Sequence, residues 1–257
     1  MNVELKGKVA IVTGGTKGIG AAIARKFVAC GAKVMACGNE TDEVDSSGNL
    51  RTSIFNVASD AEMKRLVEET RDAFGGVDIL VNSAGIQRYG TVVDTPEETW
   101  DEVLSVNLKG VFLASKYAIP EIAKRGGGAV INIASVQAFA SQRNVAAYTA
   151  SKGAIVALTR AMALDHADQN IRVNVICPAS VDTPMLRWAA DKWKGHKTAE
   201  ETLGLWGSAH PVGRLGRPDE IAAAAAFLAA DLCPFMTGAD LKIDGGVLSK
   251  LAILLPE

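Results

Sequence analysis

Residues 8–20, KVAIVTGGTKGIG, decide the fold. VAIVT is β-branched and apolar at nearly every position, as a strand covered on both faces should be. The following TGGTKGIG (Thr13 to Gly20) sets glycines at 14, 18 and 20 in the turn from that strand into a helix. Glycine there lets the backbone turn tightly and come close to a pyrophosphate, while the helix N-terminus offers N–H groups and a favourable dipole. A glycine-rich turn alone is a weak signal. Its place, between an apolar strand and a helix, strengthens it.

Outward from this turn the same alternation continues. Strand-like runs follow at 32–37, 52–57, 78–83, 129–135, 171–178 and 239–246, with helical patterns at 60–74, 97–125, 146–168 and 218–231 between them. Strand–helix alternation predicts right-handed βαβ crossovers. The expected fold is α/β: one Rossmann-like domain over residues 1–257, a doubly wound parallel sheet of about seven strands with helices on both faces. Residues 181–214 break the pattern. They contain no strand, three of the four tryptophans (Trp188, Trp193, Trp206) and two of the three histidines (His196, His210). An insertion after a strand's C-terminal end is the usual place for a substrate lid; the alternative is an amphipathic helix pair packing its tryptophans into the core or a subunit interface.

Composition narrows the class. The chain has 257 residues, 48% hydrophobic and 22% charged, with a net charge of −2. That balance gives no electrostatic reason to expect nucleic acid or an anionic membrane as partner. With 5% aromatic residues the core must be built from Ala, Val, Ile and Leu. Cys30, Cys37, Cys177 and Cys233 form no CxxC pair and no metal-ligand spacing, so they read as thiols in a reducing compartment, and no metal is expected. The N-terminal residues are too polar for a signal peptide, and the apolar run 221–230 is too short to span a bilayer. A cytoplasmic protein is expected.

AAYTASKGA (146–154) sets a phenol, Tyr148, and an ammonium, Lys152, one helical turn apart in an otherwise apolar segment. A free phenol, with a pKa near 10, is a poor base at neutral pH. A neighbouring cation favours the phenolate, so Lys152 is expected to pull the Tyr148 pKa down and make it an acid/base. Ser135 follows a strand at the sheet's C-terminal edge, where its hydroxyl can hold a substrate oxygen. Each has a plainer reading: Lys152 a surface residue with Tyr148 packed beside it, and Ser135 a helix or turn cap.

TGxxxGxG, NSAG (82–85), Asn107 in SVNLKG, Ser135 in NIASVQA and YTASK (148–152) occur in an order that resembles the short-chain dehydrogenase/reductase family, over essentially the whole chain. The resemblance implies NAD or NADP as cofactor and hydride exchange between the nicotinamide and a secondary alcohol or carbonyl. It assigns catalysis to Asn107, Ser135, Tyr148 and Lys152, with Asn107 holding a water that relays protons to Lys152 and Lys152 bonding the nicotinamide ribose. Cofactor contacts fall to Gly14, Thr16, Lys17, Gly18, Ile19, Gly20, Gly38, Asn39, Asn56, Val57, Asn82, Ala84, Gly85, Tyr148, Lys152, Pro178, Val181 and Thr183.

The sequence departs from the family pattern at several points. Gly38 stands where NAD-preferring members place an acid, and Asn39 where NADP-preferring members often have Arg. Lys17 tips the reading towards NADP, while Glu40 and Asp42 oppose a 2′-phosphate. Asn56 replaces an Asp beside the adenine, and Ala179 replaces a glycine and so asks for φ below zero. For the substrate, Ser135, Gln137, Tyr148, Arg88 and Gln142 are the candidates, with Gln87, Arg143 and Asn144 nearby. So many donors and acceptors suit a small sugar or polyol. A 3-oxoacyl thioester reductase is the main alternative, and a non-catalytic dinucleotide-binding regulator the alternative of another class; such regulators typically lack the Tyr or the Lys. The family builds dimers and tetramers from the helices at 97–125 and 146–168. With the apolar tail 251–255, this makes a homotetramer the expectation.

Overall fold

The computed structural model describes residues 3–40 and 48–250; Asp42 and the tail 251–255 lie outside them. Seven strands form one sheet in the order β3-β2-β1-β4-β5-β6-β7, all parallel. They are β1 (Val9–Thr13), β2 (Lys33–Gly38), β3 (Leu50–Ile54), β4 (Ile79–Asn82), β5 (Gly128–Ile133), β6 (Ile171–Pro178) and β7 (Asp240–Ile243). The order reverses between β1 and β4, where Thr13 pairs with Asn82. In open α/β sheets ligands bind outside the carboxyl ends at such a reversal.

Alternate residues of each strand feed two apolar layers. Ala10, Val12, Val34, Ala36, Ile79 and Val81 pack on one face with α1 (Gly18–Ala29) and α8 (Pro218–Ala229). Ile11, Met35, Cys37, Leu80 and Val130 pack on the other with α2 (Asp60–Phe74), α4 (Gly110–Lys124) and α5 (Ala146–Asp165). Both faces being covered explains why the central strands β1, β4 and β5 are nearly continuous in apolar residues, while the edge strands β3 (LRTSI) and β7 (DLKI) are not. Alanines dominate where α1 meets α8, and Phe27 is the only aromatic among the largest fully buried side chains. No described helix is long and apolar enough to cross a membrane.

The helix expected over 97–125 is broken: α3 (Glu97–Leu104) passes through a π-helical turn at Ser105–Lys109 before α4. Residues 181–214 form two helices, α6 (Pro184–Trp193) and α7 (Ala199–Ser208). Thr183 caps the first through Leu186 N–H, and Thr198 with Glu201 builds a capping box on the second. Ala189, Ala190 and Leu203 are buried, whereas Trp188 and Trp193 stay about half exposed.

Candidate active site

A cleft of about 1290 Å³ opens at the C-terminal edge of the sheet, over the β1/β4 reversal. Its floor begins at the glycine-rich turn. A Cβ on Gly14, whose φ is +62°, would stand 2.7 Å from the Ala84 backbone, and one on Gly20 only 2.0 Å from the Gly14 carbonyl. Only hydrogen fits at either position, so β1, its turn and the loop after β4 close on one another. Helix α1 has no side-chain cap at Lys17 and no acid in its first turn. Such an end suits an anion. These residues fit a dinucleotide pyrophosphate.

Around this floor lie Gly14, Thr16, Lys17, Gly18, Ile19, Gly20, Gly38, Asn39, Asn56, Val57, Ala84, Gly85, Pro178, Val181 and Thr183, all lining the one cleft. Asn82 lines none of it. It is buried beneath, its amide donating to Asn132 Oδ1 (2.8 Å) and Ser115 Oγ (3.3 Å). Thr16 explains the missing acid at the end of β2: its Oγ1 would lie 2.2 Å from any Cβ at 38. Lys17 forms an ion pair with Glu40, so a carboxylate already occupies the lysine on which the NADP reading leaned. Asn56 Oδ1 accepts from the Ala58 N–H (2.9 Å), which leaves one of its lone pairs for a further donor. Ala179 keeps φ negative; among described residues only Asn144 and Asn170 are left-handed without being glycine.

Tyr148 and Lys152 occupy the first two turns of α5 and are both buried against the cleft. The Lys152 ammonium lies 5.5 Å from the Tyr148 ring centre and donates to the Ile133 carbonyl at 3.0 Å. The expected depression of the phenol is not what the geometry produces. Burial pushes Tyr148 up to about 12, a hydrogen bond from Ser135 opposes that rise, and the nearby Tyr89 adds to it. Burial also brings Lys152 down to about 8. In each case the cost to the charged form of losing water outweighs the other contributions. Ser135, itself nearly buried, also accepts from the Gln137 N–H (3.1 Å), so it caps a turn and meets the phenol at once.

Asn107 is fully buried and does not line the cleft. Its Oδ1 accepts from Ile86 N–H (2.8 Å), and its amide donates to Ile86 O and Ser151 Oγ (3.0 Å each). It sits in the π turn, where Gly110 N–H bonds back to the Ser105 carbonyl. A Cβ on Gly85 would stand 3.4 Å from the Asn107 oxygen and 3.5 Å from the Lys152 nitrogen, so Gly85 separates the two.

The candidate substrate residues divide. Arg88 lines the cleft, but its guanidinium holds Glu102 in a bidentate pair (2.9 and 2.6 Å), and it is not an open receptor for a carboxylate. Gln137 and Gln142 bond each other at 3.3 Å, and Thr149 donates to Gln137 Oε1. Gln87, Arg143 and Asn144 also line the cleft. Sequence reasoning overlooked Tyr89, which joins the wall beside Tyr148. It also left His210 without a role; this buried histidine ties the Trp206 carbonyl (2.9 Å) to the Ser180 N–H (3.4 Å). A tyrosine seven residues after the Asn82 that ends β4 was the available signal for the first.

Residues 14–248 match a family model described as enoyl-(acyl carrier protein) reductase. The chain is 39% identical to an NADP-dependent (R)-specific alcohol dehydrogenase of Lentilactobacillus kefiri, over 97% of this chain and all of that one. It is 35% identical to a 3-oxoacyl-(acyl-carrier-protein) reductase of Thermotoga maritima, over 96% of this chain and all of the relative. The solved structure of an aldohexose dehydrogenase from Thermoplasma acidophilum superposes with a TM-score of 0.95 at 37% identity, with both chains covered in full.

Proposed function

The chain belongs to the short-chain dehydrogenase/reductase family and is an NAD(P)-dependent oxidoreductase; from that premise we propose that it moves hydride between NADP and the carbonyl or secondary alcohol of a small sugar or polyol, with Tyr148 as acid/base. The observation that carries the reading is that Ser135, Tyr148 and Lys152, all buried, line one cleft, with the Lys152 ammonium 5.5 Å from the Tyr148 ring centre. Bound there, the nicotinamide would give or take the hydride. Tyr148, held protonated by burial, is set to donate to a carbonyl oxygen, and Ser135 to hold that oxygen. Lys152 adds positive charge below about pH 8 and is the residue we assign to the nicotinamide ribose. Asn107 stiffens the loop at Ile86 and is the residue we assign to holding a water that relays protons to Lys152.

The roles of the turn residues, of Asn56 at the adenine and of Thr183 at the carboxamide follow the same reading, as do one domain and α6–α7 as lid. NADP is favoured because Gly38 brings no acid to the ribose and Lys17 can exchange Glu40 for a 2′-phosphate. The amides of Gln137 and Gln142 favour a hydroxylated substrate. A cytoplasmic homotetramer completes the proposal, supported by the buried thiols of Cys37 and Cys177 and by the family's habit of pairing helices equivalent to α3–α5.

Initial rates on one panel test this: aldohexoses and polyols against 3-oxoacyl thioesters, each with NAD and NADP. Turnover of hydroxylated compounds, faster with NADP, is the expected result. Turnover of the thioesters alone would replace the substrate reading with the reductase one, and no turnover of either would favour a non-catalytic binder.

A further inference from the structure

We propose that Trp193, braced by Tyr89, is a stacking platform for the carbon face of a cyclic polyol ring, a specificity-determining position on the lid; the inference rests on the polar-substrate reading above. Trp193 closes α6 and lines the cleft with 48% of its surface exposed. A half-exposed indole on a concave wall leaves a large apolar face for a ligand to cover.

This indole is held in place from several sides. The Tyr89 ring meets Trp193 edge-to-face, with centres 5.1 Å apart at 77°, and Trp188 stacks on Tyr89 at 5.8 Å. The Lys192 ammonium lies 5.8–6.0 Å from all three rings. A surface braced in this way loses little freedom when a ligand arrives.

The platform is also indexed to the reacting phenol. Next to Tyr89, the Gly90 N–H donates to the Asn144 carbonyl (2.8 Å), and the Ala146 N–H donates back to Gly90 (3.3 Å). Ala146 begins α5, two residues before Tyr148. The loop bearing Tyr89 and the helix bearing the acid/base are therefore hydrogen-bonded together. A ring seated on Trp193 would turn its carbon-bound hydrogens to the negative aromatic face, and Gln137 and Gln142, which line the same cleft, supply amides for its hydroxyls. An acyclic diol has no flat carbon face to offer and gains less.

The test compares wild type, Trp193→Ala and Trp193→Phe on an aldohexose and on 2,3-butanediol, alongside the fluorescence change when cofactor-free protein is titrated with the aldohexose. Trp193 is half exposed, so the variants should fold; gel filtration at matched concentration checks their assembly. The selectivity for aldohexose over butanediol, as a ratio of kcat/KM, should fall at least tenfold in Trp193→Ala, through KM, and return to within threefold in Trp193→Phe. The wild-type fluorescence change should vanish in both variants. Wild-type turnover of aldohexose with an unaltered ratio in Trp193→Ala overturns this inference alone. Equal losses on both substrates with altered assembly would overturn it too, and make the tryptophan a subunit contact. Wild-type turnover of thioesters and no aldohexose overturns the polar-substrate reading together with the platform.

Discussion

Replacing Lys152 by methionine should make the cofactor-free protein more stable at neutral pH. Burial depresses the lysine from 10.5 to about 8. At about 1.4 kcal/mol per pH unit, that displacement costs the folded state about 3 kcal/mol while the group is charged in both states. Methionine removes the cost and keeps most of the apolar stem, but leaves the Ile133 carbonyl without its donor, a loss of about 1 kcal/mol. A net gain of about 2 kcal/mol corresponds to roughly 4–8 °C in a chain of this size. The sign with pH is fixed: between about 8 and 10.5 the unfolded lysine holds a proton that the folded one has released. Wild-type stability therefore climbs through that window relative to the variant, and the variant's advantage fades towards pH 10.5. Thermal unfolding at fixed protein concentration, from pH 7 to 10.5, measures it. A variant less stable at pH 7, or a difference that does not move with pH, would refute a buried, unfavourably placed ammonium.

Three further outcomes follow from the same geometry. Ser135→Ala should cut turnover by about 10²-fold, and because Ser135 is what opposes the rise of the Tyr148 phenol, the pH profile of alcohol oxidation should move to higher pH; an unmoved profile would separate the serine from the phenol. Glu40→Gln should remove the carboxylate that pairs with Lys17 beside the ribose position and raise the ratio of NADP to NAD efficiency several-fold, read from kcat/KM with each cofactor; an unchanged or reversed ratio would remove the Lys17–Glu40 pair from 2′-phosphate recognition. Gly14→Ala should abolish cofactor binding or fold, since its Cβ would stand 2.7 Å from the Ala84 backbone; calorimetric titration with NADPH together with circular dichroism distinguishes the two.

The strands and the glycine-rich turn were legible because they depend on local pattern. VAIVT is apolar without alternation, as a doubly covered strand should be, and appears as β1; IRVNVICP, apolar apart from Arg172 and Asn174, appears as β6. The strand expected at 52–57 instead spans Leu50–Ile54, because Phe55 and Val57 pack into the core beyond the last ladder pair. The π turn at Ser105–Lys109 left no trace in a helix whose apolar spacing stays regular around it. Within the site, residue types were legible and pairings were not. Arg88 looked like a substrate ligand until Glu102, fourteen residues away, closed on its fork. Tyr148 and Lys152 share a helical face as their spacing requires, yet the depth of burial that reverses the expected direction of the phenol's pKa depends on how α5 packs against the sheet, not on that spacing. Tyr89 and Trp193 are more than a hundred positions apart, and no pattern in either segment announces that they touch.

The central claim is that one phenol moves the proton. Tyr148→Phe removes a single oxygen from a buried ring and leaves the cofactor floor at Gly14–Gly20 intact. Its turnover with the best substrate of the panel should fall by about 10²–10⁴-fold, while NADPH binds within a few-fold of wild type by fluorescence titration. Turnover within a few-fold of wild type, with cofactor binding intact, would contradict the account at its root.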